Sequence, residues 1–406
     1  MEIKRQQNIV NVILAVVLCL FFLYAFWFQY VFEPIVIVFF GLGGACFFLS
    51  LCKIRKSWKY YNDLIVFLGF VFYLLLFGLL VSYGRGDGAS YLINILKYSI
   101  PMFVMYSYIG SDWKKFFRTL DMLTATITLL ALSGIVNGHR TNTGAIVAGT
   151  LNANVEASLL TIGAFSALIL CSSENTGKRK KILLLGCLVL MVKAQVDCAS
   201  RRGIVVLLAL LAGGLWINIQ TWYKHNKLLR RMLLIAGSGI AIVGVVMLAY
   251  TLQDSVMITR LLTVGSLGDK LRVVYQEKAM ELFLQSPLFG MGLGCVEEYA
   301  GMYSHSLYYE LLACTGVIGT GIVVATLLSS VRRFYKYAMK FPETEKDSII
   351  MAKFFLLFTV SILFSGLVLV YIYDMYFYVM LGLLASAQKI LRENLKRIKF
   401  ERIREA

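Results

Sequence analysis

The dominant pattern along the chain is a succession of long apolar runs separated by short polar connections. Positions 9–32, 63–82, 232–252 and 349–372 are almost free of charge, and roughly 20 apolar residues suffice to span the hydrocarbon of a bilayer as a helix. Strands of a membrane barrel would show shorter segments of alternating polarity, because one face meets lipid and the other the lumen; no such alternation occurs here. The pattern therefore predicts an all-α polytopic membrane protein with about 12 transmembrane helices. The expected spans are 9–32, 34–52, 63–82, 92–110, 119–137, 151–171, 182–197, 203–220, 232–252, 306–330, 349–372 and 373–390. They form one transmembrane domain over residues 1–406.

Nearly all connections are short, but the stretch 253–305 is long. Long ordered loops usually carry function. Within it, residues 271–284 place apolar side chains at roughly helical spacing beside Arg272, Glu277, Lys278 and Glu281. A short amphipathic helix at the membrane surface is expected there, roofing a cavity between the spans.

Composition agrees with this picture: 59% of residues are hydrophobic and 16% charged, more apolar surface than a soluble core could bury. The formal charge of +17 would point to an acidic partner if the basic residues were spread evenly. They are not. Lys53, Arg55, Lys56 and Lys59, then Lys114, Lys115 and Arg118, then Lys178, Arg179, Lys180 and Lys181 fall on alternate connections. Lys224, Lys227, Arg230 and Arg231, Arg332, Arg333, Lys336 and Lys340, and a basic tail continue the alternation. This positive-inside pattern puts both termini in the cytoplasm and the 253–305 loop outside. Nucleic acid is not an expected partner; membrane lipid is.

The eight cysteines contain no CxxC pair and mostly sit inside apolar runs, where cysteine behaves as a small hydrophobe. Cys198 and Cys295 fall on the expected outer side, so a disulfide between them is conceivable but not deducible from spacing. The first apolar run is too long for a signal-peptide core and no small-residue cleavage pattern follows it, so it is expected to remain as the first span.

Of the three histidines, His139 and His305 are placed outside by this topology, and His225 lies in a basic cytoplasmic connection. The segment Ser286-Pro-Leu-Phe-Gly-Met-Gly-Leu-Gly294 is followed by His305-Ser-Leu-Tyr-Tyr-Glu-Leu-Leu-Ala-Cys-Thr-Gly-Val-Ile-Gly319. Together they resemble the signature region of the O-antigen ligase and polymerase family: a Pro-Leu-x-Gly-x-Gly-x-Gly turn, a loop, then His-Asn/Ser leading a helix with Gly-x-x-Gly. Ser200-Arg201-Arg202-Gly203 looks like that family's Ser-Arg-x-Gly, Arg272 sits where an arginine precedes the glycine-rich turn, and Arg140 with Asn152 and Asn154 flanks the sixth span. The resemblance extends over about residues 140–320. Ser306 replaces the family's asparagine and Tyr275 stands where tryptophan is common; neither change removes a chargeable group. The first four spans carry no matching motif.

Read alone, Gly290-Met-Gly-Leu-Gly294 could pass for a nucleotide loop, but no strand precedes it and no acidic partner follows a crossover helix. A tight turn is the expected structure, and Gly316 and Gly319 are expected to permit close helix packing.

The resemblance implies a glycosyltransferase of the bacterial cytoplasmic (inner) membrane that moves an undecaprenyl-diphosphate-linked glycan onto an acceptor hydroxyl on the outer side. A flippase and a chain-length regulator of the same pathway are implied partners. Such a site must neutralise a diphosphate and accept a proton. Arginine offers a planar fork of donors for phosphate, so Arg201, Arg202, Arg272 and Arg140 are the candidate diphosphate and substrate ligands. Imidazole accepts a proton near neutral pH, which makes His305 the candidate base. Glu310, and with it Ser306, are candidate supports. No acidic metal-binding cluster or two-carboxylate hydrolase site is visible, so no metal or cofactor is expected. Polymerase and ligase share donor and machinery, and the acceptor is not written in the chain; the polymerase is preferred because such enzymes are spread across more kinds of bacteria. A transporter is the competing class, since Lys97, Lys193, Glu156 and Lys353 lie in or near spans. Against it, the two halves of the chain show no repeat.

Overall fold

The computed structural model describes residues 2–28, 87–141, 144–149, 152–224, 226–233 and 267–405, together with positions 41, 42, 44, 45 and 235. The expected spans at 34–52, 63–82 and 232–252 lie almost wholly outside these residues, as do His225 and the 253–266 portion of the long connection.

The described chain is mostly helical, and its strands form one small hairpin. Helix α1 (Glu2–Leu23) runs into a π turn over Tyr24–Phe28 and is followed by α2 (Asp87–Ile109) and α3 (Trp113–Asn137). Strands β1 (His139–Arg140) and β2 (Ile146–Val147) pair antiparallel, His139 opposite Val147 and Arg140 opposite Ile146. Then come α4 (Ala153–Ser172), α5 (Lys178–Asp197), α6 (Arg201–Trp222), α7 (Leu267–Gln285), α8 (Cys295–Ala300), α9 (Leu307–Lys340), α10 (Lys346–Ser365) and α11 (Met375–Glu405). Among the described residues seven helices are long and apolar enough to cross a membrane: α1 with its π turn, α2, α3, α4, α6, α9 and α10. Helix α5 carries a run of four basic residues at its start and α11 a charged second half.

Local chemistry sets the helix starts. Asp112 accepts from the Lys114 and Lys115 amides at 2.8 and 3.4 Å, Asn152 accepts from Asn154 at 2.9 Å, and Ser200 accepts from Gly203 at 3.4 Å, each satisfying a donor that a helix leaves unpaired in its first turn. The middle of the bundle is aromatic. Phe355 on α10 meets Phe165 of α4 at 5.0 Å, Phe334 of α9 at 5.3 Å and Phe116 of α3 at 5.9 Å between ring centroids. Phe358, one turn on, stacks on Phe165 at 3.9 Å. Such pairs contribute about 0.5–1.5 kcal/mol each beyond burial, and α10 is therefore the strut on which α3, α4 and α9 lean.

The two ends of the bundle differ. At one end Asp347 accepts from Ser173 Oγ (2.9 Å) and Asn175 Nδ2 (2.8 Å), Lys346 lies 3.6 Å from Glu174, and Lys224 pairs with Glu343. At the other end begin α4, α6, α9 and α11, with the hairpin, α7 and α8 nearby.

Several boundaries depart from expectation. The span expected to continue to 372 stops at Ser365: Gly366 caps it, and residues 366–374 fold as irregular chain that gives its Gly366 carbonyl to the Leu307 amide at 2.8 Å. Helix α9 runs on past 330 to Lys340; its 34 residues correspond to about 50 Å at 1.5 Å per residue, longer than a hydrocarbon core of about 30 Å. The last helix continues to Glu405. The surface helix expected at 271–284 is α7, one turn longer at its start. It buries Ala279 and Leu282, half-buries Arg272 and Tyr275 on the same strip, and exposes Leu271, Val273, Val274 and Leu284.

Candidate functional site

The glycine-rich turn and α9 form one backbone unit. Helix α9 is broken at Gly316, whose φ of 61° and ψ of −169° lie outside any helix. The break frees backbone groups on both sides, and the turn supplies their partners. Met291 and Gly292 amides donate to the Ala313 and Cys314 carbonyls at 2.8 and 3.1 Å, while the Val317 amide donates to the Pro287 carbonyl at 2.9 Å. Contact is too close for a side chain: a Cβ on Gly290 (φ +76°) would lie 2.4 Å from the Cys314 carbonyl carbon, and one on Gly316 would lie 2.3 Å from the Leu288 oxygen. The expected tight turn is present, with Gly292 and Gly294 also at positive φ. Gly316, expected to pack against another helix, instead opens its own. The physical reason is that the turn's amides replace the intrahelical bonds the break gives up.

His305 follows on the far side of α8. It adopts φ +59°, a left-handed conformation that non-glycine residues avoid, as does Ala199 (φ +48°) immediately before Ser200. Such backbone persists only where surroundings over-determine it. Around His305 the determinants are explicit. Ser304 Oγ donates to the Ser306 carbonyl at 2.8 Å, Ser306 Oγ donates to Gly366 O at 3.3 Å, and the Ser304 amide donates to Glu310 Oε2 at 2.9 Å. Glu310 is buried and also accepts from Tyr373 Oη at 3.3 Å. Glu310 and Ser306 thus support the backbone on either side of His305, and neither hydrogen-bonds to its imidazole. The half-buried ring lies 4.5 Å from Tyr303 and 5.9 Å from Tyr275, centroid to centroid. Burial, reinforced by the positive charge of Arg272, lowers its pKa to about 4, so the imidazole is neutral across the physiological range.

Arg202 is the member of the arginine pair that reaches into the bundle. Its Nη2 donates to the Asn154 carbonyl at 3.0 Å and to Ser158 Oγ at 2.6 Å, and Asp374 and Tyr376 lie near its guanidinium. The start of α6 is tied to α4 by Ser200 Oγ, which donates to Asn154 Oδ1 at 2.9 Å. Beside Arg202 a cavity of about 20 Å³ is lined by Ser158, Thr161, Ser361, Tyr371 and Tyr376, enough for about one water molecule. The Tyr376 hydroxyl is buried there without a well-formed hydrogen bond.

Tyr303 and Asp374 join the two halves. Asp374 acts electrostatically on both Arg202 and Tyr303, and Arg272 acts on both Tyr303 and His305. Burial, then Asp374, pushes the Tyr303 phenol above its ordinary pKa. The structure therefore brings His305, Arg272 and Arg202, from three separate stretches of sequence, into one patch with Tyr303, Asp374 and Tyr376. Arg201, its neighbour in sequence, is half-buried. Arg140 is not drawn in: it lies exposed on the hairpin with His139. Tyr303, Asp374 and Tyr376 were not foreseen from sequence, because 373–374 looked like a bare turn between two spans.

The Cys198–Cys295 pairing that the spacing left open is not what the fold arranges. Cys198 is buried at the end of α5 against Glu156, whereas Cys295 Sγ stands 3.5 Å from Cys314 Sγ. The charges that would mark a transport path have local partners: Lys193 pairs with Asp197 at 2.5 Å, Glu156 accepts from the Ala148 amide at 2.8 Å, Lys353 reaches Thr221 at 3.4 Å, and Lys97 lies over the Tyr98 ring.

Chemically, the patch offers a neutral imidazole, two guanidinium groups and several phenols at the end of the bundle where three apolar helices begin. Helix N-termini add positive potential. The arrangement can bind an anion and accept a proton close to it. No family model matches the chain, and no curated protein matches it.

Proposed function

We propose that the protein is a membrane glycosyltransferase, a polysaccharide polymerase that transfers an undecaprenyl-diphosphate-linked glycan onto an acceptor sugar hydroxyl. The observation that carries this reading is the convergence of His305, Arg272 and Arg202 on one patch. It adds to the resemblance of residues 286–294 and 305–319 to the ligase and polymerase signature.

In this reading the acceptor oxygen attacks the anomeric carbon of the donor as its bond to the diphosphate breaks. Arg272 and Arg202, with Arg201 as a further candidate, hold the diphosphate and offset the charge that develops on it. His305 takes the proton of the attacking hydroxyl. A pKa near 4 makes the free imidazole a weak base. Arrival of an anionic diphosphate at Arg272 cancels part of the charge that depresses it, so the base strengthens when the donor is bound. Arg140 has no place in this scheme. The charges that motivated a transporter are held by local partners, which favours the enzyme.

The test is His305→Ala in the native cell with membrane abundance checked, followed by sizing of surface glycan and lipid-linked pool. Loss of long chains with accumulation of single lipid-linked repeats is the expected result. Long lipid-linked chains left unattached would make the protein a ligase; unchanged glycan would overturn the enzyme reading.

A further inference from the structure

We infer that Cys295 and Cys314 form a dithiol pair that closes to an intramolecular disulfide, a covalent site independent of the glycosyltransferase reading. Cys295 is the first residue of α8, directly after the glycine-rich turn, and Cys314 lies in α9 two residues before its break. Their sulfur atoms are 3.5 Å apart although 19 positions separate them in sequence. A disulfide needs about 2 Å, so closure asks for a shift of little more than a bond length. Helix α8 is built to give it: glycines in left-handed conformation, Gly294 and Gly301 (both φ +78°), stand at its two ends.

The environment separates the roles of the two sulfurs. Cys295 is part-exposed and Cys314 is buried. Cys314 Sγ also lies 3.7 Å from Glu310 Oε1 and 3.6 Å from Tyr373 Oη. The oxidant is a small-molecule or protein disulfide, which meets Cys295 first. The Cys295 thiolate attacks one sulfur of that disulfide, forming a mixed disulfide and releasing one thiolate. Cys314, passing its proton towards Glu310, then attacks the Cys295 sulfur and expels the second thiolate. Two thiols of the chain are oxidised, one external disulfide is reduced to two thiols, and the two protons end on those thiols. The positive-inside pattern puts Cys295 on the outer, oxidising side of the membrane, with Cys314 in the first turns of the span that begins there. The closed ring encloses Tyr303, His305 and Glu310, so the link would clamp the loop that carries the imidazole to the helix that supports it.

The test uses the full-length protein in membranes, with Cys19, Cys46, Cys52, Cys171, Cys187 and Cys198 replaced by Ser. After treatment with oxidised glutathione, the protein is denatured and alkylated with a polyethylene-glycol maleimide, with and without prior reduction. Complete protection of both thiols, reversed by reductant, with the chain still monomeric, is the expected result. In the same background Cys295→Ser should leave Cys314 fully alkylated. In the wild-type chain, cleavage after Glu297 and Glu298 should leave fragments that separate only on reduction. Two alkylated thiols after oxidant, a glutathione adduct that stops at Cys295, or a cross-link between chains overturns the proposal.

Discussion

The backbone amide of Ser304 donates to Glu310 Oε2 at 2.9 Å, so a buried carboxyl group on the first turn of α9 fixes the residue that precedes His305. Glu310→Gln retains an acceptor and should keep most of the activity. Glu310→Ala leaves the buried amide unpaired, which costs about 1–3 kcal/mol, and should lower both thermal stability in detergent and turnover. If Gln were as damaging as Ala, the charge and not the hydrogen bond would be the essential property.

The acid limb of kcat/KM, which reports the donor-free enzyme, should lie well below the ordinary histidine range. Burial and then Arg272 bring the His305 pKa down to about 4 from 6.5. Between those values the unfolded chain binds a proton that the folded chain refuses, so this group's contribution to stability is fully present above 6.5 and is lost as pH falls through the window. Arg272→Gln removes one of the two causes and should move the imidazole titration upward. Nuclear magnetic resonance of labelled histidine in the substrate-free protein reads this directly, without interference from donor binding.

His305 at φ +59° predicts an unusual order of stabilities. His305→Gly and His305→Ala both remove the imidazole and should both be inactive. Only the glycine accepts the left-handed backbone freely, so it should be the more stable of the two by about 1 kcal/mol. Equal melting temperatures would mean that the loop relaxes on substitution.

Arg202 and Arg140 should behave oppositely. Arg202→Lys keeps the charge but not the planar fork that serves Asn154 and Ser158 together, and transfer should fall by roughly 10²-fold or more. Arg140→Ala, exposed on the hairpin, should leave the rate within twofold, about the scatter of surface changes. A large Arg140 effect would relocate the donor site towards β1.

Adding one methyl group at the helix break should be severe. In Gly316→Ala and in Gly290→Ala the new carbon meets backbone at 2.3 and 2.4 Å, and backbone cannot yield as a flexible side chain does. Both variants should lose glycan assembly and become sensitive to proteolysis between 286 and 305.

Much of this arrangement could be read from the chain. Apolar runs placed the helices at 92–110, 119–137, 151–171 and 203–220 to within six residues at their starts and two at their ends, because about 20 apolar residues have few other uses. The surface helix at 271–284 was legible from its spacing. Gly316 was legible as important but not in its role, since Gly-x-x-Gly serves equally for packing and for a break; what decides is the partner, and Pro287–Gly292 is remote in sequence. The choice between Arg201 and Arg202 was likewise invisible, because a helix start turns adjacent side chains to different faces and only Ser158 and Asn154 show which face is inside. Asp374 was hidden by its setting: a carboxylate between two apolar runs looks like a turn residue until Arg202 is placed beside it.

The splice between the glycine-rich turn and α9 also bears on how the lipid-linked substrate of the proposed function would reach the patch. Hinged covers swing because few bonds hold them at rest. Here the Met291, Gly292 and Val317 amides are shared between turn and helix, so lifting the turn would strip α9 of the partners that close its break at Gly316. The turn is accordingly a fixed jamb and not a swinging cover, and under the proposed function a lipid-linked donor would have to enter between helices and not by lifting it.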